Sequence, residues 1–208
     1  MRIFVALDIE KEIRQRIVRF MDGVRGFAPE ARWVRPESLH VTLKFVGEKP
    51  PELVEERKIA LAGIKSPSFD IAFRGYGFFP NAKSARVFWL GIEAGPVLAE
   101  LAGRVDATLE RLGVDREEHA YSPHLTLARG GGKSGDPRRQ KGDAPNKKFE
   151  ELQRRLSAMS TPEFGSMTAR EFFIYQSRVD RDGSQYTKIA AFAMESPMQM
   201  ELHKFDDP

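Results

Sequence analysis

HVTLKFVG at residues 40–47 and HLTLARGG at residues 124–131 are the two stretches that decide the fold. Each reads histidine, apolar residue, threonine, leucine, and each has the β-rich composition of a strand. One copy lies in the first half of the chain and the other in the second half, and each is followed by residues with helix and strand patterns. The repeat therefore predicts two related lobes, each contributing one strand to a shared cleft.

Strands and helices occur in groups around these two stretches, and short turns join several of the strands. This order favours antiparallel sheets over a doubly wound parallel sheet. We therefore predict an α+β fold: bilobal, with a pseudo-twofold arrangement of two antiparallel sheets, helices packed outside and a central cleft. The predicted strands cover 2–9, 40–46, 69–77, 86–92, 124–129, 167–176 and 186–193, and the predicted helices cover 10–24, 51–63, 96–112 and 147–159.

The 208 residues are enough for one domain with a substantial core, and we treat 1–208 as a single bilobal domain with intertwined lobes. The formal charge is +3, and basic residues gather at 129–155. This mild bias would suit a polyanionic substrate. The glycine- and arginine-rich stretch at 130–146 is expected to be a mobile loop, and the tail at 201–208 is expected to be disordered.

The chain contains no cysteine, which excludes disulfides, thiolate metal sites and thiol nucleophiles. It also agrees with a reducing cytoplasm. The first apolar run is short and ends at Asp8, and no later run has the length of a membrane span. We expect a soluble, cytoplasmic monomer without a membrane partner.

The repeated motif carries the chemistry. Side chains alternate between the faces of a strand, so His40 shares a face with Thr42, and His124 shares a face with Thr126. Two such strands facing each other would present two imidazoles, which titrate near neutral pH, as a general acid and a general base. The threonine hydroxyls would donate to the non-bridging oxygens of a phosphate as negative charge develops. This set can cleave a phosphodiester without a metal.

Three further residues are candidates for substrate binding. Lys44 lies on the same face as His40 if the strand is regular, where it would add positive charge. Strict alternation places Arg129 on the face opposite His124, unless the strand ends or bulges before it. Phe4 either stacks on a nucleobase at the cleft or is buried against a neighbouring helix.

The two remaining histidines, His119 and His203, have no partner at metal-ligand spacing. Both are interpreted as surface residues, and we expect neither a metal nor a cofactor.

The paired HxT motifs resemble those of the two-histidine (2H) phosphoesterase superfamily. The wider sequence is similar to the bacterial and archaeal branch of RNA 2′,3′-cyclic phosphodiesterases, also called LigT-like 2′-5′ RNA ligases. The resemblance spans almost the full length of the chain. It is carried by MRIFVALDI at the start, RWVRPESLHVTLKFVGE at 32–48, VFWLGIE at 87–93, YSPHLTLAR at 121–129 and YQS at 175–177.

The resemblance implies a catalytic role for His40 and His124, phosphate binding by Thr42 and Thr126, and no metal or nucleotide cofactor. It implies hydrolysis of a terminal 2′,3′-cyclic phosphate on RNA to a 2′-phosphate, with cleavage of the bond to O3′. Some members also join or split tRNA halves through a 2′-5′ linkage without ATP, so tRNA halves are candidate partners.

Two other classes of function stay open at this point, one enzymatic and one not. The same site could serve a 2′-5′ RNA ligase or a 2′-5′ oligonucleotide phosphodiesterase. A different class is a non-catalytic RNA-end or tRNA-binding module whose histidines only hold phosphate. The intact duplication of the HxT motif argues against the second class.

Overall fold

The computed structural model describes residues 1–130, 146–180 and 183–196, without the side chains of 179, 180 and 183. These residues form two β-sheets and four α-helices. The strands are β1 (Arg2–Leu7), β2 (Arg32–Trp33), β3 (Val41–Glu48), β4 (Phe69–Phe79), β5 (Val87–Glu93), β6 (His124–Arg129), β7 (Glu163–Ala169), β8 (Glu171–Asp180) and β9 (Gly183–Ala193). The helices are α1 (Lys11–Val24), α2 (Pro51–Ala62), α3 (Pro96–Glu110) and α4 (Glu150–Ser157).

Both sheets are antiparallel. Sheet A has the strand order β3-β1-β8-β9, and sheet B has the order β2-β6-β5-β4-β7. The two strands with the HxT motifs therefore belong to different sheets. The predicted α+β fold with two antiparallel sheets is confirmed.

The helices form because their apolar side chains recur at helical spacing and bury one face. In α1 the buried positions are Ile13, Ile17, Met21 and Val24, and this helix packs on β7 of sheet B. Helix α3 packs behind β3, the strand that follows His40. The backs of both sheets and these helices share one apolar core.

The prediction of a single strand at 167–176 is wrong. The chain leaves sheet B at Ala169 and enters sheet A at Glu171, so Arg170 separates two strands in different sheets. Strand propensity continues across this point, and alternation alone does not reveal a change of sheet. The following hairpin of β8 and β9 agrees with the prediction.

Several expectations fall where the structure gives no description. Residues 131–145 of the predicted mobile loop, Asp182 of the predicted hairpin turn and the tail at 201–208 lie outside the described residues. Within the described part of the chain, no helix is both long and apolar enough to cross a membrane.

Candidate active site

Both HxT strands contain a β-bulge at the same position of the motif. On β3, Thr42 pairs with Ala6 and Lys44 pairs with Val5, so Leu43 has no cross-strand partner. On β6, Thr126 pairs with Trp89 of β5 and Ala128 pairs with Phe88, so Leu127 has no cross-strand partner. The leucine of each HxTL motif is therefore the bulged residue.

A bulge shifts the alternation of side chains by one residue. Two consecutive side chains are buried after each HxT motif: Leu43 and Lys44 on β3, and Leu127 and Ala128 on β6. The next residue returns to the side of the strand that carries the histidine, which we call the histidine face. Phe45 and Arg129 are these next residues.

The prediction that Lys44 lies beside His40 is wrong, because it assumed a regular strand. The Lys44 side chain is only 2% exposed and points to the core side of sheet A. Its Nζ lies 2.5 Å from Asp106 Oδ1 on α3 and donates to the carbonyl oxygen of Asp115 at 2.6 Å. Lys44 thus joins β3 to the helix behind it.

Arg129 lies on the histidine face, because the bulge at Leu127 reverses its orientation. Its side chain is half-buried, and burial lowers the pKa of its guanidinium from the usual value, although the group stays protonated. Its charge in turn lowers the pKa of His40, which directly precedes β3 of the other sheet. The bulge therefore places a cation on the histidine face, where its charge acts on His40.

Phe4 occupies neither of its two predicted environments. It is 3% exposed and belongs to a small cluster on the histidine face of sheet A, with Ala6, Phe173 and Tyr175. Its ring lies parallel to that of Tyr175, with centroids 5.2 Å apart, and 4.7 Å from the ring of His40. Phe4 packs against the imidazole of His40, and its buried ring has no free face for a nucleobase.

Phe45 is a further aromatic residue on this face, and the sequence analysis did not single it out. Its side chain is 51% exposed, and its ring centroid lies 6.1 Å from that of Phe4. Regular alternation would have buried it with Val41 and Leu43. Only the bulge, which has no clear sequence signal, turns it outward.

Both imidazoles are held by the same type of hydrogen bond. Nδ1 of His40 lies 2.7 Å from the carbonyl oxygen of Ser38, and Nδ1 of His124 lies 2.8 Å from that of Ser122. A carbonyl oxygen only accepts, so Nδ1 carries the proton and donates in each case. Each ring therefore uses Nε2 as the nitrogen available for proton transfer.

The two HxT strands lie against each other although they belong to different sheets. Strands β3 and β6 are in direct contact. The Tyr121 hydroxyl, just before β6, donates to the carbonyl oxygen of Thr42 at 2.9 Å. The positive charge of His124 also lowers the pKa of His40, as expected for two imidazoles in one site. The structure thus brings together the two strands that carry the HxT motifs, and Thr42 and Thr126 are both half-buried.

His40 is surrounded by aromatic rings. Besides Phe4, Tyr186 meets it edge-on at 5.1 Å, and Tyr175 lies at 6.2 Å. Burial among these rings lowers the pKa of His40 to about 4, although the hydrogen bond to Ser38 acts to raise this pKa. His40 is therefore neutral at pH 7 in the free protein.

His124 also packs on aromatic side chains. Phe79 meets it edge-on at 5.0 Å, and the Trp89 ring lies at 6.3 Å. Trp89 lies over Gly77, where any Cβ would come within 2.2 Å of the indole. Glycine at 77 thus allows the aromatic support of His124 to pack closely.

Arg14 fixes the turn that precedes His40, and the sequence analysis did not identify it. Its Nη1 donates to the carbonyl oxygens of Pro36 at 2.6 Å and Leu39 at 3.2 Å. Its Nη2 donates to Asp8 at 2.6 Å. Helix α1 is thereby tied to the segment whose Ser38 carbonyl orients the imidazole.

Known proteins resemble this chain along most of its length. The LigT like Phosphoesterase family model matches residues 7–89. The RNA 2′,3′-cyclic phosphodiesterase of Archaeoglobus fulgidus is 33% identical over 195 residues, which covers 92% of this chain and 99% of that protein. The protein of the same name from Methanothermobacter thermautotrophicus is 30% identical, with 93% and 98% covered. This chain belongs to the LigT-like phosphoesterase family.

Solved structures agree with this assignment. Escherichia coli LigT complexed with 3′-AMP superposes with a TM-score of 0.71 at 27% identity, covering 93% of this chain and 97% of LigT. The TT0787 protein of Thermus thermophilus gives a TM-score of 0.72 at 27% identity, covering 95% and 100%. The two-sheet architecture is thus shared along nearly the whole chain.

In this LigT-like phosphoesterase, the histidine faces offer a set of groups suited to an anion. Two Nε2 atoms can transfer protons, two threonine hydroxyls can donate hydrogen bonds, and the guanidinium of Arg129 can bind two oxygens at once. The His119 side chain is exposed, and His203 lies outside the described residues. Among the described residues, no group of three histidine or acidic side chains is arranged to hold a metal ion.

Proposed function

We propose that this protein is an RNA 2′,3′-cyclic phosphodiesterase, a hydrolase that converts a terminal 2′,3′-cyclic phosphate to a 2′-phosphate by two-histidine acid-base catalysis. One observation carries the proposal. Two HxT strands from different sheets meet, and each imidazole is tied through Nδ1 to a carbonyl oxygen two residues earlier. The relatives that match over nearly the whole chain bear the name of this activity.

The mechanism follows from the two Nε2 atoms. One imidazole takes a proton from water as the water oxygen attacks phosphorus in line with O3′. The other imidazole gives a proton to O3′ as the bond between phosphorus and O3′ breaks. The product keeps its phosphate on O2′, and proton exchange with solvent restores both rings. No step requires a metal or a nucleotide cofactor.

Thr42, Thr126 and Arg129 stabilise the charge that develops on the non-bridging oxygens. Hydroxyl and guanidinium donors that are already oriented need little reorganisation when the charge appears, which is the main source of electrostatic catalysis. Arg129 binds the phosphate with two parallel hydrogen bonds. The exposed ring of Phe45 stacks on the terminal nucleobase, an interaction that tolerates any base.

The substrates are RNA ends that carry a cyclic phosphate, including tRNA halves, in the cytoplasm. The protein acts as a monomer, because one chain supplies both HxT strands. Joining of RNA ends through a 2′-5′ linkage would follow the same course, with an RNA 5′-hydroxyl in place of water as the nucleophile that displaces O3′. Analysis of products separates these reactions.

The test is turnover of an oligoribonucleotide ending in a 2′,3′-cyclic phosphate, in EDTA, with 2′- and 3′-phosphate products resolved. We expect the 2′-phosphate alone. His40→Ala and His124→Ala should each lower the rate by about 10²- to 10⁴-fold, the usual contribution of a general acid or base. His119→Ala, at an exposed histidine, is the matched control and should keep full activity.

Several results would contradict the proposal. Loss of activity in EDTA would require a metal, and a 3′-phosphate product would mean that the other bond breaks. Full activity in either histidine variant would remove that residue from the mechanism. Tight binding of cyclic-phosphate ends without any turnover would favour an RNA-end-binding module.

A further inference from the structure

Tyr186 of β9 is a polar aromatic residue on the histidine face of sheet A. It packs on the small cluster there, and its ring meets those of His40 and Phe4 edge-on at 5.1 Å and 4.9 Å. The side chain is half-buried. A buried tyrosine usually finds a hydrogen-bond partner for its hydroxyl, so the ring contacts account for only part of this side chain.

The ring that meets each histidine edge-on differs between the two halves of the site. His124 is met by Phe79 at 5.0 Å, and His40 is met by Tyr186 at 5.1 Å. A phenylalanine ring is thus sufficient to pack against an imidazole at this distance. Packing therefore does not explain why the ring beside His40 carries a hydroxyl.

Strand β9 is tied to the segment before β3 on both sides of Tyr186. Two residues earlier, the carbonyl oxygen of Ser184 accepts a hydrogen bond from the Ser38 hydroxyl at 3.3 Å. Two residues later, the Lys188 ammonium donates to the carboxylate of Asp8 at the end of β1. Ser38 also orients the imidazole of the first HxT motif through its carbonyl oxygen. These bonds hold Tyr186 in place against that imidazole.

Tyr186 also acts on Arg129, which belongs to sheet B. Burial lowers the pKa of the Arg129 guanidinium, and the phenol of Tyr186 acts to raise it. The two groups are therefore within electrostatic range of each other. Tyr186 thus contacts one of the two imidazoles and interacts with the guanidinium that binds phosphate in the proposed mechanism.

The hydroxyl of Tyr186 is accessible to a ligand. Within the described part of the chain it has no hydrogen-bond partner. The buried side-chain atoms without a partner, among the residues that the structure describes, are Arg57 Nε and Trp89 Nε1. The Tyr186 oxygen is not one of them, so it is in contact with solvent. A phenol in this state can donate to an oxygen of a bound anion.

We propose that Tyr186 is a further catalytic residue, whose hydroxyl donates a hydrogen bond to a non-bridging oxygen of the reacting phosphate. This inference rests on the proposed function, because it takes the reacting phosphate to lie between His40 and Arg129. An oriented hydroxyl stabilises the charge that develops on phosphate oxygens as the two threonines do. The half with His40 therefore supplies a donor that Phe79 does not supply in the other half.

The experiment measures kcat/KM of Tyr186→Phe with 2′,3′-cyclic AMP and with 2′,3′-cyclic CMP. Loss of one hydrogen bond to a charged oxygen should lower kcat/KM by about 10- to 150-fold. The loss should be the same for both substrates, because the hydroxyl acts on the phosphate and not on the base. Tyr76→Phe, at a half-buried tyrosine of β4, is the matched control and should keep the wild-type kcat/KM.

A second measurement separates the hydroxyl from the ring. The pKa of His40, followed by NMR in the free protein, should be the same in Tyr186→Phe as in wild type, because the ring that buries the imidazole is kept. Tyr186→Ala removes this ring and should move the pKa from about 4 toward 6.5.

A binding measurement keeps the inference testable if turnover is absent. In isothermal titration calorimetry, Tyr186→Phe should bind adenosine 2′-phosphate about tenfold or more weakly than wild type does, because one donor to the phosphate is lost. Tyr76→Phe should bind it with the wild-type affinity.

Distinct results would overturn the role of Tyr186 and the proposed activity. Wild-type kcat/KM in Tyr186→Phe would exclude the hydroxyl from the reaction. A loss that differs between the two substrates would place the hydroxyl at the base, and a changed pKa of His40 in this variant would attribute the loss to a displaced imidazole. Absence of turnover in wild type, with weaker binding of adenosine 2′-phosphate by Tyr186→Phe, would refute the proposed hydrolysis and leave the phosphate donor in place.

Discussion

The two halves of the site share a backbone design and differ in the side chains that follow it. In both, a histidine bonds to a carbonyl two residues earlier, a threonine shares its face, and a bulged leucine shifts the strand. After the bulge, the half with His40 places Lys44 in the core and Phe45 on the histidine face. The half with His124 places Ala128 and Arg129 in the same positions.

The comparison separates what the reaction needs twice from what it needs once. In the proposed mechanism, proton transfer and hydrogen bonding to phosphate occur on both sides of the phosphorus, which agrees with the repetition of histidine and threonine. A nucleotide has one base and one reacting phosphate, and these have different partners. In the proposed mechanism, an aromatic ring in one half and a guanidinium in the other fix the orientation in which the nucleotide binds.

The largest effect concerns the buried position after the bulge. Lys44→Met should lower the free energy of unfolding by about 3–5 kcal/mol, because Asp106 loses the ammonium group at 2.5 Å and keeps the more distant Arg116 at 3.9 Å. Lys44→Met combined with Asp106→Leu should recover much of the loss. Urea unfolding measures both, and Lys58→Met, at an exposed ion pair with Glu55, should cost at most about 1 kcal/mol.

Activity per folded molecule should survive in the Lys44→Met variant, since Lys44 lies away from the histidine face. Loss of turnover in Lys44→Met protein that is still folded would show instead that Lys44 reaches the substrate.

The next effect concerns the cation. Arg129→Ala should lower kcat/KM by about 10²- to 10³-fold, because a preorganised donor to the developing charge is lost. Arg129→Lys should restore only part of the activity, since an ammonium group cannot make the paired hydrogen bonds. Arg74→Ala on β4, an exposed arginine in surface ion pairs, is the control. Full activity in Arg129→Ala would show that Arg129 does not stabilise the developing charge.

A smaller effect is expected at the aromatic position. Phe45→Ala should raise KM by about 5- to 150-fold, the range for one base stacked on one ring. Phe45→Trp should keep KM near the wild-type value because it keeps an aromatic face. Ile59→Ala, at an exposed apolar residue of α2, controls for general surface effects. A normal KM in Phe45→Ala would show that the base binds elsewhere.

The smallest effect is a shift in titration. In the free protein, His40 should titrate near pH 4 because burial among aromatic rings disfavours the charged imidazole. A bound phosphate anion favours the charged imidazole and should move this pKa upward. Nitrogen-15 NMR of the imidazole, with and without inorganic phosphate, measures both. A free-protein pKa at the ordinary value of 6.5 would mean that His40 is solvated.

Much of the site was predictable because its pattern is local. Alternation over three residues places His40 with Thr42 and His124 with Thr126, and repetition of the motif indicates that both belong to one site. The two antiparallel sheets follow from the grouping of strands and turns. None of these inferences needs a contact between residues distant in the sequence.

The remaining features depend on contacts that a local pattern does not contain. The bulge at Leu43 depends on register with β1, and its shift places Lys44 against Asp106, a residue of a later helix. For the same reason the sequence did not determine which face of β6 carries Arg129. The bulge at Leu127 places Arg129 on the histidine face. The strand β2, only two residues long, is too short to show alternation.

The most direct test of the account is a crystal structure of the protein with adenosine 2′-phosphate. The account predicts that Nε2 of His40 and Nε2 of His124 each lie within hydrogen-bond distance of the reacting group, one at a phosphate oxygen and the other at a phosphate oxygen or O3′. A phosphate bound by one histidine alone, with the other imidazole turned away, would contradict it.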